Sequence, residues 1–246
     1  MAEIHWVGGN LPQVGKSWAV RALTESLFFA NPHVAPIVVD TSPDSFLSEV
    51  YNPALLQSHT PSQYFSGNCL AADEIFKLVH THKVLVIKLA SHTQSAFLDW
   101  VRDSNVEDDD IRHKFWFVSN GHRHSAKHFE KLYPYDWDLH WVRNQHAGMW
   151  GDLEETDTFK VCDLPGIITN PAEIEFVEES RETLNYLAHP ENSQIPLLTR
   201  VRIQRFLTQS HQNFIGTGTQ YIKPSPPPKI ISRQVEDEDE DEDIPN

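Results

Sequence analysis

Short runs of uninterrupted apolar residues alternate along the chain with longer stretches whose apolar positions recur every three or four residues. The first pattern suits strands buried on both faces, and the second suits helices that lay one stripe on a core. Strands are predicted at 4–7 (Ile4-His5-Trp6-Val7), 36–40 (ending on Asp40), 84–89, 115–118, 137–142 and near 159–164. Helices are predicted at 16–29, with Trp18, Ala22, Leu23 and Leu27 at helical spacing, at 71–82 on Ile75, Leu78 and Val79, at 94–102, through Phe129 and Leu132, at 171–187 and at 197–214. This alternation predicts an α/β, doubly wound, mainly parallel sheet with additional C-terminal helices. In such a sheet a ligand sits at the carboxyl edge of the strands.

Beyond Gly216 the pattern stops. A proline-rich spacer, Lys223-Pro224-Ser225-Pro226-Pro227-Pro228-Lys229, precedes eight consecutive carboxylates from Glu236 to Asp243. Like charges at that density repel and stay hydrated, so residues 217–246 are expected to form a disordered acidic tail on a domain spanning 1–216. The tail's simplest use is solubility, and its alternative is a mobile polyanion that competes for basic surfaces. The formal charge is −15, of which −7 remains when the eight carboxylates are set aside. That balance disfavours direct DNA binding, which draws on clustered lysine and arginine. Two cysteines, Cys69 and Cys162, without metal-ligand spacing suggest reduced thiols and a cytoplasmic setting. No apolar run approaches membrane-spanning length.

The chemistry concentrates after the first strand, where Gly8-Gly9-Asn10-Leu11-Pro12-Gln13-Val14-Gly15-Lys16-Ser17-Trp18 leads into a helix. Successive backbone N–H groups and the positive end of a helix surround a phosphate, and a lysine adds a mobile charge for the terminal phosphates. A serine next to that lysine suits a magnesium ion bridging two phosphates. The strict spacing needs a glycine five residues before Gly15, where this chain has Asn10.

The opening segment, with Val39-Asp40-Thr41, Phe117-Val118-Ser119-Asn120-Gly121 and Val142-Arg143-Asn144, resembles the ParA/MinD-like ATPases, closest to their plasmid partition and mobilisation branch. The resemblance spans about residues 3–215. It implies a P-loop domain that binds ATP and Mg2+ through Gly9, Asn10, Val14, Gly15, Lys16, Ser17 and Trp18. Ser17 and Asp40 would serve the metal, Lys16 and Asp40 the catalysis, and Arg143 and Asn144 would lie at the adenine. It further implies a homodimer formed on nucleotide binding, acting as a switch in partition, mobilisation or cargo positioning, with a protein partner possible.

The chain departs from that family where Leu11 replaces the early lysine, where Pro12 and Gln13 replace two glycines, and where Ser42 replaces a second carboxylate. Asp44 is a displaced substitute for that carboxylate, and Lys88 stands where an acidic or amide residue is usual. Pro12 offers no N–H, and Gln13 opposes a positive φ. These changes point to slowed hydrolysis or, alternatively, to a pseudo-ATPase that keeps the fold as an interaction module. Elsewhere, His122, His124 and His128, with His113, read as a polar surface helix, the alternatives being a metal site or a pH-sensitive patch. Arg200, Arg202 and Arg205 read as a solvated face and the tryptophans as core.

Overall fold

A computed structural model describes residues 2–42, 46–51, 70–91, 93–104, 110–121, 123–146, 158–166 and 170–216. The acidic tail, Cys69, Asp44, His122 and Trp150 lie outside them. Six strands form one sheet: β1 (Ala2–Gly8), β2 (Ile37–Asp40), β3 (Val84–Lys88), β4 (Ile111–Ser119), β5 (Asp138–Asn144) and β6 (Lys160–Leu164). Their order is β2-β3-β1-β4-β5-β6, and every pairing is parallel. The sheet is therefore wholly rather than mainly parallel.

A strand inside a parallel sheet is covered on both faces, which is why these segments are apolar without alternation. One core joins Ile4, Trp6, Leu85, Ile87, Phe115 and Phe117 to helices α3 (Leu70–Thr81), α4 (Gln94–Ser104) and α5 (Arg123–Phe129). The other joins Val7, Val86, Trp116, Val118 and Val142 to α1 (Lys16–Ala30), α2 (Phe46–Tyr51), α6 (Pro171–Glu179), α7 (Leu184–Ala188) and α8 (Leu197–Ile215). Five of the tryptophans, Trp6, Trp100, Trp116, Trp137 and Trp141, are buried core residues.

The predicted helix over 171–187 is two helices. It breaks at 180–183, where Arg181 adopts a left-handed φ of 51° and Thr183 restarts the chain by accepting a hydrogen bond from the Tyr186 amide. The break lets the backbone carbonyls of Val177 and Glu182 converge on Arg21, a buried guanidinium of α1 that donates to both. The long α8 then packs along α1 through Ile203, Phe206, Leu207 and Phe214, and ends on Gly216 at φ 71°.

The route of the chain positions the site. From β1 it runs through α1 to β2 at the far edge, then returns to β3 beside β1, and from there crosses to β4 on β1's other side. The segments leaving β1 and its two neighbours thus go to opposite faces of the sheet. Their carboxyl ends leave an open edge at the centre, where parallel sheets hold ligands. No helix among the described residues is long and apolar enough to cross a membrane.

Candidate functional site

Residues 9–15 connect β1 to α1 at that central edge and are pressed onto the neighbouring strands. A Cβ on Gly9 would lie 2.5 Å from the backbone oxygen of Val118 in β4, so only glycine fits there. Gly15 has φ 95°, and a Cβ on it would come 2.5 Å from Nδ2 of Asn144. Gln13 lies at φ 56°, the left-handed region that favours glycine. The loop thus takes on the strained conformation that its glycine-poor sequence opposes.

Lys16 is the first residue of α1 and is buried. Its Nζ donates to the carbonyl oxygens of Gly9 (3.4 Å) and Leu11 (2.8 Å) and to Oγ of Ser91 (2.8 Å), just past β3. All three acceptors are neutral. Burial, with the Lys88 ammonium nearby, pushes the Lys16 pKa down to about 8. An ammonium without a carboxylate partner among the described residues, at the positive end of a 15-residue helix, is electrostatically incomplete and suits an anion. Ser17 is half-buried and its hydroxyl makes no hydrogen bond among the described residues.

Asn144 holds the loop from the other side. Its Nδ2 donates to the Val14 carbonyl (3.0 Å) and its Oδ1 accepts from the His146 amide (3.0 Å). Arg143, opposite Asp163 in the β5–β6 register, is bound to that carboxylate through Nε (2.7 Å) and Nη2 (3.0 Å). Of the two residues expected at the adenine, Asn144 lines a cleft beside the loop, together with Trp18, His146, Leu164, Pro165, Gly166, Ile174 and Phe206. The lining does not include Arg143. The cleft is shallow and open, with about 50 Å³ of space within it. Sequence reasoning missed Ser91 and Pro165-Gly166. Pro165 directly follows β6 and Ser91 lies three residues beyond β3, which was the available signal. Asn10 faces away from this cleft, and its Oδ1 accepts from Ser125 of α5.

Asp40 ends β2 opposite Lys88 of β3. Its Oδ2 lies 3.2 Å from the Lys88 ammonium, and its Oδ1 accepts from the Ser42 amide at 3.0 Å. The side chain is fully buried (0% exposed) and that of Lys88 nearly so (8%). Thr41 ties the two strand ends together, donating to the Lys88 carbonyl and accepting from the Ala90 amide. Lys88 also lies over the Phe46 ring, 5.9 Å from its centroid. With both oxygens engaged and an ammonium against one of them, Asp40 does not fit a magnesium ion, whose shell is built from free oxygen ligands.

Of the histidines grouped in the sequence, His113 stands apart, whereas His124 and His128 share one helix and lie close enough to feel each other's charge. His113 lies in the first half of β4 and accepts from the Trp6 indole, whereas His124 and His128 belong to the helix beyond the strand's other end. Among the described residues no three His, Cys, Asp or Glu groups converge as a metal set. The three arginines of α8 also diverge. Arg202 pairs with Glu173, Arg200 donates to the His189 and Pro190 carbonyls, and Arg205 is exposed. No family model matches the chain, and no curated protein matches it.

Proposed function

We propose that the chain binds ATP, with its phosphates in the 9–15 loop against Lys16 and Ser17 and its adenine in the cleft between Trp18 and the ends of β5 and β6. The observation that carries this reading is Lys16: a buried ammonium held, among the described residues, by neutral oxygens alone, at a helix N-terminus on the sheet's central carboxyl edge. Bound phosphate would supply the missing countercharge, and the lysine would exchange a loop carbonyl for a phosphate oxygen. Asn144 keeps the loop in place by holding the Val14 carbonyl. The apolar walls of the cleft suit a flat base, and the His146 and Asn144 polar groups lie at its edge.

On this reading the protein is a ParA/MinD-like switch that pairs with a second copy when nucleotide is bound and serves plasmid partition, mobilisation or cargo positioning. Hydrolysis is slow, because Leu11 brings no cation to a partner's phosphates and Asp40 is committed to Lys88. That ion pair also favours the second reading, a pseudo-ATPase that keeps the fold as an interaction module. Titration calorimetry with ATP tests the proposal. Wild type should bind, and Lys16→Ala should lose at least tenfold in affinity, about 1.4 kcal/mol. Absence of binding by wild type would leave only the interaction module. Phosphate release at saturating ATP and sedimentation with and without nucleotide then separate a switch from a static binder.

A further inference from the structure

Magnesium at a phosphate-binding loop does two things: it neutralises phosphate charge, and it anchors that charge to a protein carboxylate through its own ligands and waters. The carboxylate expected in that role is Asp40, and each of its oxygens is already engaged. Its one oxygen holds an ammonium at 3.2 Å, its other holds a backbone amide at 3.0 Å, and the group has no exposure to solvent. A cation entering here would have to displace Lys88 or sit beside it. It would also meet Lys16, which lies near enough for the two ammonium groups to feel each other's charge.

The arrangement is anchored on every side. Asp40 and Lys88 face each other across paired strands, Thr41 bridges the two strand ends, Ser48 contacts the Asp40 amide, and the Phe46 ring lies over both Lys88 and Arg21. Breaking a buried ion pair by removing one partner is strongly destabilising, so the pair will not open readily to admit a metal. Among the described residues, the positive charge beside the loop is therefore built into the chain as Lys16 and Lys88, against the one carboxylate of Asp40.

We infer that the phosphate site works without a divalent cation: Lys88 takes the place at Asp40 that a metal and its waters would fill, and Lys16 and the helix N-terminus carry the phosphate charge. The inference rests on the ATP-binding reading, and one experiment separates the two. ATP affinity is measured by titration calorimetry in excess magnesium and again in EDTA. The expected result is binding in both, differing by less than about threefold. Binding in magnesium that weakens tenfold or more in EDTA overturns the inference and leaves the ATP-binding reading standing. Absence of binding in both buffers overturns the two together.

Two variants place the effect on Lys88. Lys88→Met frees the Asp40 carboxylate, and magnesium should then tighten ATP binding about tenfold over EDTA. Because that variant leaves a buried unpaired charge and can fail to fold, the paired change Asp40→Asn with Lys88→Met serves as the second test. No carboxylate is left to draw in the ion, so its ATP affinity should again be the same in magnesium and EDTA. A Lys88→Met protein that folds and stays indifferent to magnesium, or a double variant that becomes dependent on it, overturns the role given to Lys88.

Discussion

Asn144 is a polar residue at a strand end, a place where sequence alone allows either a loop residue or a ligand contact. In the fold it is nearly fully buried, and its amide has a backbone partner at each end. Replacing it with alanine strands the buried Val14 carbonyl and the His146 amide together, which should cost about 1–3 kcal/mol. Urea unfolding should show that loss as a lower midpoint. ATP affinity should fall as well, because the loop carbonyl next to Gly15 loses its tether. Unchanged stability in Asn144→Ala would remove the brace from the account. The same scale explains why the Asp40–Lys88 pair was not foreseen. Position 88 was legible as a cation, but that its ammonium reaches Asp40 depends on the β2–β3 register, which no local pattern encodes. Gln13 went the other way: its conflict with a positive φ was readable in advance, and the loop accepts that conflict.

Elements were more legible than contacts because apolar periodicity is a local property. The strand Val84–Lys88 and the helices Lys16–Ala30 and Leu197–Ile215 lie within a residue or two of their predicted limits. The strand Ile111–Ser119 extends well before its predicted start, because Arg112 and Lys114 broke the apolar run while their charges pair with Glu3 and Asp138 at the sheet's opposite edge. The merged helix over 171–187 failed for a tertiary reason: Arg21 collects carbonyls from the break, and nothing near residue 180 announces that. The packing of α8 makes a separable prediction. Ile203 is fully buried against α1, whereas Leu198, five residues earlier, is 67% exposed. Ile203→Ala should cost about 2–5 kcal/mol through lost transfer energy and an unfilled cavity. Leu198→Ala should stay within about 0.5 kcal/mol. Equal effects in denaturant melts would mean that α8 does not pack on α1 as described.

At the scale of the molecule, the edge of the sheet opposite the loop holds a buried layer that ties folding to pH. His5 accepts from the Trp116 indole through Nδ1 (3.1 Å) and contacts Glu3 through Nε2 (3.3 Å), and His140 stacks on the same indole at 3.8 Å and reaches Asp138. The other charges facing this layer are Arg112, Lys114 and Lys160. Burial is the main cause that lowers the pKa of both histidines, so the folded protein keeps them neutral at pH values where the unfolded chain takes up protons. For His5 the geometry agrees: a proton on Nδ1 would set an N–H against the indole N–H. Since the unfolded state binds more protons below the ordinary histidine value near 6.5, the histidines' contribution is flat above it and stability falls as pH drops beneath it. Each histidine that stays neutral contributes up to about 1.4 kcal/mol per pH unit. Glu3 acts in a lower window. The hydrogen bond from His5, aided by Lys114, holds its carboxyl down to about 2, so its contribution is present above 4.5 and lost between 4.5 and about 2. Urea melts across pH should therefore show two descending limbs. His5→Asn, which keeps an acceptor for the indole but cannot protonate, should make the limb below pH 6.5 shallower and shrink the one below 4.5 as well, because Glu3 loses the hydrogen bond from His5 and keeps only Lys114. A His5→Asn profile that superimposes on wild type would place the acid sensitivity elsewhere than in this layer.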